Sequence, residues 1–457
     1  AQNTERKRLH LIMERLAKWE NIHGMDLYKE ARQAILDSND GVMPDILDPF
    51  AGGGAIPLEA QRLGLRSHAS DLNPLAVTIN KALIEFPSIF FNRPSVHPTE
   101  GAKTSDKTGG LADDIRYYGR ILCDKAFGKV GNLYPKVKDE DGVEHTVIAW
   151  IWARTVTNPN PANPVQVPLV RSWWLSKKKG HEAWVKPTVQ DDGTITYEIQ
   201  HDNKGPKGTV NRKGAVSIVD GTPIDFPYVR KESREGRMGA TLIGIVSDSQ
   251  HGRLYSSPSK EQETIASCPK PEDYPDGDVF DWPGRINVFR YGMTHFSDLF
   301  TNRQLTVLTT LSDTVAEVHE QVLADALAAG MPEGEPLDNG GKGARAYADA
   351  VSVYLGLAVS RQTDRNSSIN SWDSSRDTIR NVFARQAIPM VWDYAEANPF
   401  SSKSGNFLGQ VEWVAEAVEN VPAYPECEAR QADAATRDYS NVVVSTDPPY
   451  YDNIGYS

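Results

Sequence analysis

Four consecutive residues near the end of the sequence, Asp447, Pro448, Pro449 and Tyr450, combine groups that could activate an amine. The exocyclic amine of a nucleobase is a poor nucleophile because its lone pair is delocalised into the ring. If the Asp447 carboxylate and the Pro448 carbonyl accept its two N–H bonds, rehybridisation is favoured and charge is stabilised as it develops. Two prolines stiffen this backbone and remove N–H donors. The tetrapeptide therefore predicts methylation of such an amine, with Tyr450 stacked on a base that has left its helix.

A glycine-rich turn, residues 48–54, predicts the cofactor site for this reaction. It follows a short apolar run, 45–47, and precedes a helix-compatible stretch, which suits a buried parallel strand and a helix that begins over a ligand. Glycine lets the backbone approach a cofactor closely and adopt positive φ. Pro57 replaces the third glycine of the dinucleotide fingerprint, and Asp48 is badly placed for a phosphate. S-adenosylmethionine, which carries an ammonium, a sulfonium and a ribose, therefore fits better than NAD.

Asp71 ends the next predicted strand, 67–70, one βα unit after the glycine turn. An acidic residue at this position commonly holds ribose hydroxyls. Capping of the helix that Asn73 and Pro74 begin is an equally good explanation. Both roles stay open for Asp71.

Composition excludes several other classes of protein. The chain has 457 residues, 39% hydrophobic and 24% charged, a net charge of −12 and three cysteines, none of which follows a proline. C5-cytosine methylation, which needs a cysteine after a proline, is thereby excluded, as is a disulfide framework. No apolar run approaches the roughly 18 residues of a membrane span, and the N-terminus is too polar for a signal peptide. We expect a cytoplasmic protein without membrane contact.

The middle of the chain is locally basic, with 14 Lys and Arg against 9 Asp and Glu between residues 150 and 240. Basic clusters alternate there with tryptophans in a region of predicted strands. One interpretation is a groove for a nucleic-acid backbone; the other is a solvated β-module with tryptophans in its core. The candidate nucleic-acid residues are Arg171, Lys177, Lys178, Lys179, Arg212 and Lys213.

Hydrophobic periodicity predicts the main elements. Helices are predicted over 5–20, 26–37, 55–63, 111–126, 301–329, 344–359, 379–397 and 411–421. Strands are predicted over 46–48, 67–70, 147–152, 167–175, 183–189, 194–199, 215–219, 428–431 and 441–445.

Segments spread over nearly the whole chain carry long, idiosyncratic combinations of residues: 18–21, 47–59, 70–74, 116–119, 133–137, 149–155, 174–179, 383–392 and 445–456. In these segments the chain resembles the large adenine-specific DNA methylases usually described as containing a zinc ribbon. The resemblance implies an α/β fold, with a Rossmann-like class I methyltransferase core and a large α+β insertion between the second and third core strands. It also implies DNA as the partner.

The resemblance assigns a role to each site residue. The methionine end of S-adenosylmethionine would be lined by Asp48, Phe50, Gly52 and Gly54. Asp71 would hold the ribose, Asp433 would lie by the cofactor adenine, and residues 447–450 would be catalytic.

Two departures from the family alter the expectation. Asn158, Asn163, Ser217 and Asp220 stand where the family's ribbon has paired cysteines, which predicts a metal-free relic of the ribbon. A class I sheet has seven strands, whereas four are predicted here. The rest of the sheet is therefore expected from a longer protein or from a second chain. Without it we expect weak cofactor binding at most and little turnover.

This organisation predicts that the chain divides into four segments. Residues 1–90 form the cofactor-binding half of the core, 91–300 a β-rich, locally basic module, 301–420 the helical part of the insertion, and 421–457 the catalytic-motif segment.

Two other functions remain open. The first is a tRNA or rRNA guanine-N2 methyltransferase, which also combines a glycine turn with a similar motif. The second is a DNA-binding or scaffold fragment without catalysis. Adenine N6 is favoured over cytosine N4 only because aspartate, rather than serine, precedes Pro448.

Overall fold

A computed structural model describes residues 2–22, 24–98, 108–250, 252–385 and 387–448. The chain is mixed α/β, with 40% helix and 21% strand, and includes a half-barrel sheet. It divides into two compact units. The first unit comprises Ala1–Tyr118, His319–Tyr354 and Val414–Ser457, and the second unit comprises Gly119–Val318 and Leu355–Trp413.

The helices of the described residues are numbered in chain order. They are α1 Gln2–Leu16, α2 Met25–Ser38, α3 Ala55–Arg62, α4 Pro74–Asn80, α5 Phe86–Ile89, α6 Gly109–Val130, α7 Phe226–Arg234, α8 Lys260–Ala266, α9 Asn302–Ala328, α10 Ala344–Gln362 and α11 Phe407–Asn420. A π-helical segment, Lys81–Glu85, joins α4 to α5. Short 3-10 helices lie at Trp19–Asn21, Gly131–Leu133, Val288–Tyr291, Phe296–Leu299, Leu337–Asn339, Thr363–Arg365 and Ala434–Thr436.

The strands are numbered in the same way. They are β1 Asp45–Asp48, β2 Ser67–Asp71, β3 Val137–Lys138, β4 Glu144–His145, β5 Val147–Thr157, β6 Gln166–Leu169, β7 Trp174–Ser176, β8 Ala183–Val189, β9 Ile195–Gln200, β10 Gly214–Val216, β11 Pro223–Asp225, β12 Gly239–Ser249, β13 Gly252–Ser256, β14 Trp372–Asp373, β15 Thr378–Ile379, β16 Asp393–Ala397, β17 Glu428–Gln431 and β18 Val442–Val444.

The first unit contains a four-stranded parallel sheet in the order β17-β2-β1-β18. β1 lies inside this sheet. Its central residues are apolar because the strands of a parallel sheet are covered on both faces. Ile46 of β1 packs against Ala60 of α3 and Leu65. The Arg32 guanidinium, from α2, donates to the carbonyl oxygen of Leu63 at 3.1 Å and so satisfies the C-terminal end of α3. These contacts fix the helix that follows the glycine turn.

The second unit is built on an antiparallel sheet in the order β13-β12-β5-β16, with β6 also paired to β5. β5 is buried over nearly its full length. Beside this sheet lie a three-stranded antiparallel sheet, β7-β8-β9, and the two-stranded pair β10-β11. Trp173, which is 2% exposed, packs in the core between the main sheet and β7-β8-β9. The buried residues of β10 and β11, Ala215 and Ile224, belong to a separate hydrophobic cluster.

Most predicted elements lie within a few residues of the observed ones, but the helix predicted over 379–397 is wrong. That stretch holds the end of β15 and all of β16, which pairs with β5. Pro389 cannot continue a helix, because it lacks the N–H and its ring clashes with the preceding turn. The apolar residues after it are buried by strand pairing. The predicted strand over 167–175 is likewise two strands, β6 and β7.

Candidate active site

The parallel sheet brings four of the predicted site segments to one edge. Because neighbouring parallel strands end on the same side, the residues that follow them meet there. The glycine turn follows β1, Asp71 ends β2, Asp433 follows β17, and Asp447 follows β18. β1 and β18 are adjacent, with Leu47 opposite Val444. All four segments belong to the first unit.

The glycine turn needs glycine at two positions. Gly52 has φ of 48° and Gly54 has φ of 83°, both in the left-handed region, and Gly54 is the N-cap of α3. A Cβ at Gly54 would lie 2.8 Å from Oδ1 of Asn80, a fully buried side chain. Gly53 has neither constraint: its φ is not positive and a Cβ there would meet nothing within 4 Å.

This contrast gives a matched pair of substitutions. Gly54→Ala should destabilise the turn by about 1–2 kcal/mol from the left-handed conformation alone, and the Asn80 contact should add to the cost. Gly53→Ala should be close to neutral. Hydrogen exchange of β1 and α3 peptides measures the effect, and equal exchange rates in the two variants would contradict the geometry.

Asp71 holds the glycine turn rather than capping α4. Its Oδ2 accepts from the Gly52 N–H at 2.9 Å, and its Oδ1 accepts from the Asn73 N–H at 2.9 Å. The N-cap of α4 is Asn73, whose side chain accepts from Leu75 N. Each carboxylate oxygen can accept more than one hydrogen bond, so Asp71 retains acceptor capacity.

Asp48 links the end of β1 to the segment just before Asp447. Its Oδ1 accepts from the Phe50 N–H at 3.1 Å and from the Thr446 hydroxyl at 2.8 Å. Burial raises the pKa of the Asp48 carboxyl, and these two hydrogen bonds oppose the rise. Thr446, which sequence reasoning did not single out, thus joins its segment to the end of β1 through a side-chain hydrogen bond, beside the backbone bond from Ser445 N–H to the Leu47 carbonyl.

Asn80 is a second contributor that sequence reasoning missed. Its Nδ2 donates to the Gly52 carbonyl at 3.0 Å and to the Ala76 carbonyl at 2.9 Å, so α4 is tied to the glycine turn. A polar residue at the end of an amphipathic helix carries no local signal of such a role. Only the tertiary fold brings it to Gly52.

The remaining predicted site residues are more exposed. Phe50 is 42% exposed, and Asp447 and Pro448 are also exposed. Asp433 caps a 3-10 turn by accepting from Ala435 N at 2.9 Å. Pro449 and Tyr450 lie outside the described residues.

A histidine between two carboxylates ties the three strands β17, β2 and β1 together. His68 Nδ1 lies 2.8 Å from Glu428 Oε1, and Nε2 lies 3.0 Å from Asp45 Oδ2. Hydrogen bonding to Glu428 and then to Asp45 raises the pKa of His68 against its partial burial. The same bond from His68 lowers the pKa of Glu428 to about 2.

These shifts predict a stability window for the sheet. The His68 contribution is fully present below its unfolded pKa of about 6.5 and is lost as pH rises through its raised folded value. The Glu428 contribution is present above about pH 4.3 and is lost as pH falls towards the lowered value. Both groups are partly exposed, so we expect at most about 1 kcal/mol.

Calorimetric melting at about pH 5.5 and about pH 8 tests this window. His68→Asn should lower Tm more at the lower pH than at the higher, and Glu428→Gln should remove most of that difference. A His68→Asn effect that is independent of pH would contradict the assignment.

Comparisons with family models, curated proteins and solved structures found no significant match. Among the helices of the described residues, none is both long and apolar enough to cross a bilayer.

The predicted nucleic-acid residues all lie in the second unit and are exposed: Arg171, Lys177, Lys178, Lys179, Arg212 and Lys213. The Lys177 ammonium lies 5.8 Å from the centre of the half-buried Trp174 ring. Trp173 next to it is a core residue, as the β-module interpretation expects. An exposed cation beside a half-buried tryptophan and a buried tryptophan next to it are compatible with both interpretations.

The four positions of the predicted metal-free relic, Asn158, Asn163, Ser217 and Asp220, are joined by hydrogen bonds or short turns. Asp220 Oδ2 accepts from the side-chain amides of Asn158 at 2.9 Å, Asn160 at 2.8 Å and Asn163 at 3.2 Å. Ser217 lies three residues before Asp220 in the turn between β10 and β11. The Asp220 carboxylate, which accepts from three side-chain amides, thus ties the segment with the asparagines to the turn between β10 and β11.

Proposed function

We propose that the chain carries the cofactor-binding and catalytic parts of an S-adenosylmethionine-dependent methyltransferase that acts on an exocyclic amine in DNA, most favourably adenine N6. The observation that carries this proposal is the strand order. Numbered along the chain, the four parallel strands lie in the order 3-2-1-4. In doubly wound folds this order places the ligand at the carboxyl ends of strands 1 and 4, where the strand order reverses.

The residues at the carboxyl ends of the strands, where the strand order reverses, suit the proposed cofactor. Gly52 and Gly54 leave backbone without side chains against the ligand, as a close approach requires. The Asp71 carboxylate at the end of β2 retains lone pairs for ribose hydroxyls. Asp48 and Phe50 would contact the methionine end and Asp433 the adenine. The cofactor would supply an electrophilic methyl group.

The chain's own residues would then prepare the amine. The Asp447 carboxylate and the Pro448 carbonyl would accept the two N–H bonds, turn the lone pair towards the methyl group and stabilise the positive charge that develops on nitrogen. Tyr450 would stack on the extruded base. The Asp48–Thr446 hydrogen bond supports this arrangement because it holds the segment just before Asp447 against the end of β1.

DNA as the substrate rests on the exposed basic residues of the second unit. Cationic side chains beside an aromatic ring, as at Lys177 and Trp174, suit phosphate and base contacts respectively. A tRNA or rRNA guanine-N2 methyltransferase is the second candidate function, and a scaffold without catalysis is the third.

The sheet also supports a partner that completes it. β18 pairs with β1 alone among the described strands, and its Val443 and Val444 are 49% and 45% exposed. An exposed apolar edge strand offers free backbone groups for a further strand. We propose that additional strands, from a longer protein or a second chain, join at β18 when the enzyme is complete.

A single-turnover assay tests the function. The protein is held in excess over S-adenosylmethionine that carries a labelled methyl group, and is mixed with genomic DNA or with total tRNA. Mass spectrometry of the released nucleosides should find label in N6-methyladenine from DNA. Label in N4-methylcytosine would change the target base, and label in N2-methylguanine from tRNA would favour the second candidate. No label in any nucleoside, together with no heat of S-adenosylmethionine binding in calorimetry, would favour the scaffold.

A further inference from the structure

α7 carries a basic face that none of the assignments above uses. Three of its cations, Arg230, Lys231 and Arg234, line a groove of about 410 Å³ together with Pro227 and Glu235. All five residues lie on α7 or directly after it, so the groove has a single wall. Small-molecule pockets normally bury most of their ligand. A groove with one wall suits instead a long ligand that runs along the helix.

The opposite face of α7 fixes the helix to the second unit. Asp225 caps its N-terminus by accepting from the Tyr228 N–H at 2.8 Å, and the Tyr228 hydroxyl donates to the carbonyl of Thr157, on β5, at 2.9 Å. Val229 is 1% exposed and packs in the core. The basic face is therefore held in place by the fold, which lowers the cost of ordering it when a ligand binds.

The carboxylates at the end of α7 are engaged by a cation outside the groove. Arg237 pairs with Glu235, and its Nε and Nη2 lie 3.0 Å and 2.5 Å from the two carboxylate oxygens of Glu232. In the part of the chain that the structure describes, no carboxylate lies within 4 Å of the three groove cations. The Arg230 guanidinium lies instead 5.6 Å from the centre of the Tyr291 ring.

Cations exceed carboxylates around this helix. Arg234 Nε donates to the Arg290 carbonyl at 3.1 Å, which places Arg290 beside α7. The cations are then Arg230, Lys231, Arg234, Arg237 and Arg290, and the carboxylates are Asp225, Glu232 and Glu235. Because Arg237 already pairs with both glutamates, the positive charge without a partner is concentrated along the groove.

Arginines at this spacing fit a phosphate backbone. Arg230 and Arg234 are one helical turn apart, with about 5–6 Å between their Cβ atoms, so their long side chains can reach neighbouring phosphates of one strand. A guanidinium presents a fork of donors that matches two phosphate oxygens. The carboxylates of an acidic peptide have no such regular spacing.

We propose that α7 binds the phosphate backbone of duplex DNA through Arg230, Lys231 and Arg234. The choice of DNA as the polymer rests on the proposed function. The surface is distinct in sequence from the six basic residues singled out above for nucleic acid. Phosphate contacts position DNA and carry no base information, so this surface would supply affinity and leave the choice of target base unchanged.

Fluorescence anisotropy of a labelled duplex, titrated with the whole chain between about 50 and 200 mM salt, tests the surface. The triple variant Arg230→Gln, Lys231→Gln and Arg234→Gln should bind at least about tenfold more weakly at the lower salt. The slope of log K against log salt should become shallower by about 2–3, because each lost phosphate contact removes about 0.9.

Matched variants separate the groove from net charge and from misfolding. The control Arg6→Gln, Lys7→Gln and Lys18→Gln removes three exposed cations of the first unit and should keep the parental slope. Lys231→Gln alone should keep its Tm, since Lys231 is exposed, and should make the slope shallower by about 0.9.

Three results would overturn the proposal. They are equal losses in the triple variant and its control, no binding of the duplex by the parent at about 50 mM salt, and displacement of the duplex by poly-glutamate at equal charge concentration, which would identify a surface for an acidic protein. Tighter binding of duplex RNA that the triple variant also loses would replace DNA with RNA.

The binding readout needs no cofactor, so it separates this inference from the proposed function. Methyl transfer to DNA by a protein whose triple variant binds DNA as the parent does would contradict the α7 surface alone. Binding that the triple variant loses, in a protein that transfers no methyl group, would contradict the proposed function alone.

Discussion

Replacing Asp447 with alanine should lower the rate of methyl transfer by about 10²–10³-fold and leave the affinity for S-adenosylmethionine nearly unchanged. The carboxylate would act on the amine and not on the cofactor, so its loss removes stabilisation that exists only as the nitrogen becomes positively charged. In the structure Asp447 is exposed, directly after the residue that hydrogen-bonds to Asp48. The substitution should therefore cost little folding stability.

Single-turnover rates and equilibrium binding of S-adenosylmethionine, measured on the same preparations, check this prediction. Asp438→Ala is the matched control, because Asp438 is an exposed aspartate of the same segment whose carboxylate accepts from Ser440 N. It should transfer methyl groups at the parental rate. Equal rates for Asp447→Ala and Asp438→Ala would remove Asp447 from the reaction.

Replacing Glu396 with alanine should destabilise the second unit by about 3–5 kcal/mol. Glu396 on β16 and Arg303 on α9 form a two-point ion pair, with Nε to Oε1 at 3.0 Å and Nη2 to Oε2 at 2.8 Å. Their side chains are 1% and 0% exposed. The guanidinium also lies 4.1 Å from the centre of the Trp150 ring. Removal of the carboxylate would leave a buried charge without its counter-ion.

Urea unfolding followed by tryptophan fluorescence measures this cost, since every tryptophan except Trp19 belongs to the second unit. The double variant Arg303→Met with Glu396→Leu should be more stable than Glu396→Ala, because it buries apolar side chains instead of an unpaired charge. A loss below about 1 kcal/mol in Glu396→Ala would show that the pair is not buried in solution.

The parts of the first unit that were predictable from sequence are those with local signals. β1 is a short apolar run between polar residues, and Gly52 and Gly54 are required by backbone conformation at their own positions. The observed strands β1, β2, β17 and β18 match the predicted ones to within two residues at each end. Few arrangements other than a parallel sheet are open to these strands. It could therefore be predicted from sequence that the segments after them lie close together.

The contacts that join the site were not predictable in the same way. Thr446 reaches Asp48 across almost 400 residues of sequence, and Asn80 reaches Gly52 from another element. Hydroxyl and amide side chains make local hydrogen bonds as readily as distant ones. Which bond forms depends on the tertiary fold, and one sequence does not encode it in any local pattern.

The error over residues 379–397 has the same origin. The apolar residues of β16 are spaced as a helix could use them, and their burial comes from pairing with β5, more than 200 residues earlier. Pro389 is a local signal against a helix, because it lacks the backbone N–H that a helix interior needs. At Asn158 and Asn163 the sequence predicts a site without thiolates, and Asn160 was not singled out. It did not show that their amides would converge on Asp220.

Photochemical labelling with radioactive S-adenosylmethionine tests most directly whether the glycine turn and Asp71 form a cofactor site. Ultraviolet irradiation of the saturated complex, followed by proteolysis and mass spectrometry, locates the labelled peptide. We predict label within residues 48–73. Excess S-adenosylhomocysteine should prevent this labelling, and the substitution Asp71→Asn should strongly reduce it. Label confined to the second unit, or label in the first unit that Asp71→Asn does not change, would contradict the account.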